Sequence, residues 1–141
     1  RCAHALAAEM RSVLREYLLF VAQLEAKQPR VQELFYWLRK PAKQLRTLDE
    51  VAFECATLKG GALLRKVLDF RSHAADKEEF LLLDALARAA TKPYLETLES
   101  WLRRGALDDP YSEFFVVKDA AAPRVFNDFN ASAWDTRFLC D

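Results

Sequence analysis

The residues of this chain that could perform chemistry are few and scattered. Neither His4 nor His73 has a Cys, Asp or Glu at a recognised metal-ligand spacing, which argues against a zinc site. Cys55 falls on the predicted inward face of a helix, where a thiol behaves as a small apolar side chain. A cysteine nucleophile also needs a partner base, and the sequence indicates none. These residues therefore predict neither a zinc site nor a reactive thiol.

Two further groups contain the residue types of a metal site and of a phosphate-binding loop, but they lack the neighbouring residues that such sites need. Asp108 and Asp109 precede a proline, and a metal-dependent enzyme that uses them with Glu113 is one alternative. A turn explains both acids more simply, because Asp and Pro are favoured turn residues. Gly60 and Gly61 follow no predicted strand and lack a Lys-Ser partner, so they do not predict a phosphate-binding loop. We expect no catalytic residue, no metal and no cofactor.

Composition narrows the class of protein further. The 141 residues fit one domain, and 52% hydrophobic with 30% charged residues is typical of a globular protein. Lys+Arg and Asp+Glu both number 21, so the chain has neither the basic excess of a nucleic-acid-binding domain nor an attraction for anionic membranes. The odd number of cysteines without a Cys-x-x-Cys pair favours a reducing, intracellular location. We expect neither nucleic acid nor a membrane as a partner.

Apolar residues recur at spacings of three and four along most of the chain, and only three glycines interrupt them. This pattern predicts an all-α bundle of about six amphipathic helices. The predicted helices cover residues 3–27, 31–39 and 41–55, then begin after Gly60-Gly61, after Asp76 and after Pro93. The side chains predicted to face the core are, in the first helix, Leu6, Met10, Val13, Tyr17, Phe20 or Val21, and Leu24; in the second, Val31, Leu34, Phe35 and Leu38; in the third, Leu45, Leu48, Val51 or Ala52, and Cys55; in the fourth, Leu63, Leu64, Val67 and Leu68; and in the fifth, Phe80, Leu83, Leu86, Ala87 and Ala90. Asp76 and Glu79 have the spacing of a helix N-terminal cap.

Prolines and glycines define the predicted boundaries. Pro41 ends the second helix or begins the third, and Pro93 should break or sharply kink the chain, because proline disfavours helical geometry in the residue before it. Gly105 fits the left-handed position after a last helical turn. The remaining expectations concern the C-terminal part: an Asp109-Pro110 turn, extended backbone over 114–117, a mobile loop over 118–130, and a helical turn over 133–140.

Aromatic residues are the one feature that leaves two interpretations open. Trp37, Trp101, Tyr36, Tyr94 and Tyr111 lie at helical spacing or next to turns. Such stripes usually pack in the core, but Trp and Tyr are also favoured anchors of protein–protein interfaces. The spacing favours the core for most of them.

One stretch carries a resemblance to a known family. Pro93-Tyr94, Leu98, Trp101 and Gly105 are followed by Asp109-Pro110-Tyr111 and Glu113-Phe114. This order resembles the signature of the gamma-tubulin complex component family. Further agreement comes from Gly60-Gly61 with Leu63-Leu64, from Leu38 to Leu48, and from the run Asn127 to Phe138 around Trp134, which is similar to the component 2 branch. One departure is Ala74-Ala75-Asp76, where Gly-Asp is frequent in the family.

The resemblance implies a scaffold rather than an enzyme. It implies that residues 1–141 are a fragment of an N-terminal helical domain, elongated and part of a larger array of helical bundles. In this family that domain makes lateral contacts with neighbouring components, and a separate C-terminal domain, absent here, holds gamma-tubulin. The implied location is the cytoplasm and cytoskeleton, at a microtubule organizing centre or spindle pole, with small accessory proteins as further partners. The alternative is a generic helical adaptor that binds partner helices in a groove.

Within the signature, Glu113 is the residue that no turn or helix rule explains. We expect it to fix the corner after the turn through hydrogen bonds rather than to catalyse a reaction.

Overall fold

The computed structural model describes residues 1–105, 107–118 and 138–140. Four α-helices account for most of this part of the chain, so the all-α prediction is confirmed. Their bounds are α1 Cys2–Lys27, α2 Val31–Cys55, α3 Gly60–Ser72 and α4 Lys77–Arg104. Two short strands, β1 Val116–Lys118 and β2 Phe138–Cys140, pair antiparallel, with Val116 opposite Cys140 and Lys118 opposite Phe138.

The predicted number of six helices is wrong for the described residues, because neither internal proline ends its helix. Pro41 lies inside α2 and Pro93 inside α4, and both helices continue on either side. A proline in a helix interior removes one hydrogen bond and costs about 3 kcal/mol. At Pro93, packing on both sides offsets this cost, since Ala90 is fully buried and Tyr94 packs against the core. In α2, the buried residues Leu48 and Val51 hold the part of the helix that follows Pro41.

The core lies on α4. This helix contacts α1 along one side and α3 along the other, and α2 packs mainly against α3. The most deeply buried side chains come from all four helices and are mostly the predicted inward residues: Cys2, Val51, Leu63, Val67, Leu83 and Leu86. Burial of such side chains contributes about 1.5–3 kcal/mol each, which is the main stabilising term of the bundle.

Helix ends agree well with the sequence rules. The Asp76 side chain accepts a hydrogen bond from the Glu79 N–H at 2.9 Å, and Glu79 accepts one from the Ala75 N–H at 3.3 Å. The Glu79 N–H and the neighbouring Lys43 ammonium lower the pKa of Asp76. Gly105 has φ 62° and donates its N–H to the Trp101 carbonyl, so the predicted left-handed cap is confirmed.

Several predicted burials are wrong. Val31 and Phe35 were expected to face the core, but they are 82% and 78% exposed. Leu68 and Phe80 are also exposed, at the edges of their apolar stripes. An apolar stripe wider than the neighbouring helix can cover leaves its margin in solvent, and the sequence alone does not show how wide that cover is.

The predicted helical turn over 133–140 is also wrong at its end, because Phe138–Cys140 is the strand β2. The rest of that segment lies outside the described residues, as does the predicted loop over 118–130 apart from Lys118, the last residue of β1. Within the described ranges, none of the helices is long and apolar enough to cross a membrane.

Candidate functional site

The signature residues converge where α1 and α3 begin. The segment from Asp109 to Phe115 returns from the end of α4 and packs on the first residues of both helices. We call this contact the corner. It is formed by six residues from four separate parts of the sequence: Cys2, Gly60, Tyr94, Asp109, Glu113 and Phe114.

Gly60 begins α3 directly against the backbone of Glu113. Its φ is +51°, in the left-handed region that favours glycine. A Cβ at this position would lie 2.0 Å from the Glu113 carbonyl oxygen and 2.8 Å from its carbonyl carbon. Both the backbone conformation and the close approach therefore require the absence of a side chain.

Glu113 caps the first turn of α1 across the fold. Its two carboxylate oxygens accept hydrogen bonds from the backbone nitrogen of Arg1 at 2.9 Å and from the Cys2 N–H at 3.0 Å. The first N–H groups of a helix have no partner within the helix, and a carboxylate there also interacts favourably with the helix dipole. The expected hydrogen bonding of Glu113 is thus confirmed, and its partner is a helix more than a hundred residues away in sequence.

Electrostatics at this carboxylate balance two effects. Burial favours the neutral form of Glu113 and by itself would raise its pKa. Hydrogen bonds from the Cys2 N–H and from the backbone nitrogen of Arg1 outweigh burial and hold the pKa below the ordinary value. The same contact acts in the opposite direction on the neighbouring thiol. Burial and the Glu113 carboxylate raise the pKa of Cys2 to about 11. A thiol held in its protonated form is the reverse of an activated nucleophile.

Asp109 holds the other end of the corner segment. Its carboxylate accepts a hydrogen bond from the Phe114 N–H at 2.7 Å, and its carbonyl accepts one from the Ser112 N–H at 3.4 Å. The second bond closes the predicted turn around Pro110. Ser112 adopts φ 52°, which the closed turn and the Phe114 hydrogen bond hold in place. Asp109 therefore acts as a turn residue with both its backbone and its side chain.

Aromatic rings fill the space between this segment and α4. Phe114 is 5% exposed, and its ring centroid lies 5.3 Å from that of Tyr94 and 5.9 Å from that of Trp101. Phe115 contacts Trp101 edge-on at 6.1 Å. Burial raises the pKa of the Tyr94 hydroxyl, partly offset by a hydrogen bond with the Phe115 backbone. Such tilted and edge-on pairs contribute about 0.5–1.5 kcal/mol beyond the area that they bury.

The remaining signature residues lie around the corner. Gly61 is exposed and a Cβ there would come 3.9 Å from the Tyr94 hydroxyl, whereas Leu98 is half-buried on α4 and Tyr111 is 55% exposed. Trp134 lies outside the described residues. Of the alternative metal-binding acids, Asp108 is exposed and pairs with Arg1 at 3.0 Å, while Asp109 and Glu113 accept backbone hydrogen bonds.

Chemically, the corner positions backbone rather than reactive groups. Its two acids accept hydrogen bonds from main-chain N–H groups, and burial raises the pKa of its thiol. No group of three or more His, Cys, Asp or Glu in the described ranges could hold a metal ion. His4 and His73 are both exposed.

Sequence reasoning missed two features. One is the partner of Glu113, since nothing local to residues 1–2 signals a cap supplied from residue 113. The other is a groove between α1 and α2, which exists because α2 continues through Pro41. The exposed aromatic run Phe35-Tyr36-Trp37, next to Lys and Arg, was the signal available for the groove.

Comparison with known proteins identifies the family whose signature residues form the corner. The family model for the gamma tubulin complex component N-terminal region matches residues 1–141. Gamma-tubulin complex component 2 of Mus musculus is 36% identical over 149 aligned residues, covering 96% of this chain and 16% of that protein. Gamma-tubulin complex component 2 of Arabidopsis thaliana is 29% identical, covering 96% of this chain and 21% of that protein.

A more distant relative agrees. Spindle pole body component SPC97 of Saccharomyces cerevisiae is 33% identical over 87 residues, covering 57% of this chain and 10% of that protein. The chain is therefore a helical-bundle protein whose signature residues build one structural corner. It belongs to the gamma-tubulin complex component family and resembles component 2 over nearly its whole length. It spans about a sixth to a fifth of the component 2 relatives that it matches.

Proposed function

We propose that this chain is part of a structural scaffold subunit of a gamma-tubulin complex. In this proposal it makes lateral contacts with neighbouring components, and the assembled components template microtubule nucleation. Support comes from the family and from relatives that are named as gamma-tubulin complex or spindle pole body components. The corresponding location is the cytoplasm, at a microtubule organizing centre or spindle pole.

The observation that carries the lateral-contact proposal is the outer face of α2, defined by Val31, Phe35 and Phe53. These side chains are 82%, 78% and 80% exposed. Phe35 and Phe53 are separated by about five helical turns, so they lie on one line along the helix. The exposed Arg39 and Arg46 lie between the two phenylalanines on this line. Aromatic and arginine side chains are the residue types enriched where one protein covers another.

The four helices also suit a template. Nucleation is slow because several subunits must be ordered side by side before a filament can grow, and a scaffold supplies that order in advance. Such a scaffold needs stiff elements. α4, with 28 residues, runs without a break through Pro93 and is about 42 Å long at 1.5 Å per residue. The corner ties its far end to the starts of α1 and α3.

The partners in this proposal are other gamma-tubulin complex components, which bind laterally. Gamma-tubulin itself is bound through a C-terminal domain that these residues do not include, and small accessory proteins are further partners. The chain alone should therefore bind a neighbouring component's N-terminal half and not gamma-tubulin.

Substitution of Phe53 tests the proposal. Phe53→Asp should leave the circular dichroism spectrum and melting temperature nearly unchanged, because the ring is 80% exposed, but should abolish co-purification with a second component. Thr57→Asp is the matched control, since it adds the same charge at a nearby exposed position. Co-purification of Phe53→Asp at the wild-type level would reject α2 as the lateral face and favour a generic adaptor. Capture of gamma-tubulin by this chain alone would contradict the division of roles.

A further inference from the structure

We infer that the groove between α1 and α2 is a second docking site, which binds an acidic amphipathic helix of a partner protein. The inference rests on the shape of the groove and on its charge, and it goes beyond the lateral contacts proposed for the outer face of α2.

The groove is an open, elongated cavity. One part has a volume of about 590 Å³ and an adjoining part about 260 Å³, and both are lined by Phe20, Trp37 and Lys40. Its wall on α1 runs from Val13 to Lys27, which corresponds to about 21 Å at 1.5 Å per residue. A partner helix of about four turns has this length.

Apolar side chains form the floor of the groove. Phe20 and Trp37 lie at its centre, with Leu24 at one end and Leu45 at the other. Trp37 is 36% exposed and the neighbouring Tyr36 is 75% exposed, so the aromatic surface is available to a partner. Amphipathic helices bind such grooves through apolar side chains at positions i, i+3, i+4 and i+7.

Charge selects the kind of helix. Four cations lie around the wider part of the groove, Lys27, Arg39, Lys40 and Lys43, against one carboxylate, Glu78. The adjoining part adds one carboxylate, Glu16, so the excess of cations is in the wider part. Two of them have acidic partners within the fold: Lys40 lies 2.9 Å from Glu78, and Lys43 contacts Asp76 and Glu79.

The other two cations are not neutralised. In the part of the chain that the structure describes, neither Lys27 nor Arg39 has a carboxylate within ion-pair distance. The Lys27 ammonium instead lies 5.9 Å from the centre of the Trp37 ring. A partner with carboxylates beside its apolar stripe would neutralise both cations and cover the ring at the same time. Complementary charge of this kind sets specificity and orientation.

A nucleic acid fits the groove less well. Its phosphates would meet two available cations only, and the chain as a whole has no net charge to attract a polyanion. The apolar floor would also be left without matching side chains.

A synthetic helix is a suitable probe. The experiment uses the full chain and a fluorescent peptide of about 18 residues with leucines in one stripe and glutamates on both flanks. Two control peptides have the same length: one scrambled so that the stripe is lost, and one with lysine in place of each glutamate. Fluorescence anisotropy measures binding, and the indole N–H signal of Trp37, assigned with Trp37→Phe, reports its place by NMR.

We expect the acidic peptide to bind at least tenfold more tightly than either control and to shift the Trp37 signal. Arg39→Glu should weaken binding of the acidic peptide about tenfold and strengthen binding of the lysine peptide. Arg65→Glu is the matched control, because Arg65 is exposed on α3, away from the groove, and the net charge changes equally. It should leave both affinities unchanged.

Three results would overturn the inference: equal binding of acidic and scrambled peptides, an equal effect of Arg65→Glu and Arg39→Glu, or tighter binding of a single-stranded oligonucleotide of similar length. Arg39 is exposed, so its substitution should not prevent folding. The result is also separable from the lateral-contact proposal, since Phe53 does not line the groove. Phe53→Asp should abolish pairing with a second component and leave peptide binding intact.

Discussion

Gly60 and Glu113 touch through their backbones: a Cβ placed on Gly60 would lie 2.0 Å from the Glu113 carbonyl oxygen. The side chain of the same glutamate caps the start of α1. A single residue thus joins the first turns of α1 and α3 and fixes the segment that follows α4. This contact explains why Gly60-Gly61 and the run from Asp109 to Phe114, which are far apart in sequence, both belong to the corner.

Gly60→Ala should destabilise the fold by more than about 2 kcal/mol. The left-handed backbone costs a side chain about 1–2 kcal/mol, and the clash with the Glu113 backbone adds to it, because backbone cannot move aside as a flexible side chain does. Gly61→Ala is the adjacent control: in the part of the chain that the structure describes, the nearest tertiary contact of its Cβ is the Tyr94 hydroxyl at 3.9 Å, so stability should stay the same or rise. Urea denaturation of both variants measures the difference. Equal stability of the two would refute the close approach.

Glu113→Gln should cost about 1–3 kcal/mol at pH 7, since the carboxylate accepts two hydrogen bonds and its side chain is 11% exposed. The folded-state pKa of Glu113 is lowered, so its contribution is fully present above the unfolded pKa of about 4.3 and is lost as pH falls through the lower folded value.

The measurement for this residue is the free energy of unfolding of wild type and Glu113→Gln between pH 7 and pH 3. The difference between them should shrink below about pH 4.3. The exposed Glu50→Gln should show no such dependence. A difference that stays constant to pH 3 would mean that the charge of Glu113 does not stabilise the fold.

The elements that the sequence predicts well are those whose signals are local. The Asp76 cap, the Gly105 left-handed end and the Asp109-Pro110 turn each depend on residues within four positions of one another, and the structure has all three. The apolar stripe of α1 is also a local signal, and its residues are buried or half-buried as predicted, from Leu6 to Leu24.

The errors arise where packing over longer distances decides. Pro41 and Pro93 are local signals for a break, but both helices continue through their prolines. The buried residues of α2 follow Pro41 and those of α4 precede Pro93, so the core holds each helix on one side of its proline. Val31 and Phe35 repeat with the right spacing for a core, yet none of the four described helices covers them, and they are 82% and 78% exposed. In the corner, the residue types of the signature were identified from resemblance. The contacts among them, such as Glu113 with Cys2, depend on the tertiary fold alone.

Asp109→Ala should destabilise the fold by about 1–2 kcal/mol. The Asp109 carboxylate accepts a hydrogen bond from the Phe114 N–H at 2.7 Å, and without it this N–H would have no acceptor next to the buried Phe114 ring. Asp108→Ala is the natural control. Asp108 forms an ion pair with Arg1 in which the two side chains are 81% and 38% exposed, and such pairs contribute little. Thermal unfolding should place Asp108→Ala within about 0.5 kcal/mol of wild type. A larger loss for Asp108→Ala than for Asp109→Ala would reverse the assigned roles.

Gly105→Val should destabilise the chain by about 1 kcal/mol or more, because a β-branched residue is forced into the left-handed region at φ 62°. Among the described residues, leaving aside its neighbours in the chain and its own helix backbone, none has an atom within 4 Å of a Cβ at this position, so the loss comes from backbone conformation rather than from a clash. Gly105→Asn separates the two causes, since asparagine adopts this conformation more readily than valine and should lose only a few tenths of a kcal/mol. Melting temperatures of the two variants give the comparison. If asparagine is as harmful as valine, the cap is not held by conformation, and packing of the segment that follows α4 must be responsible.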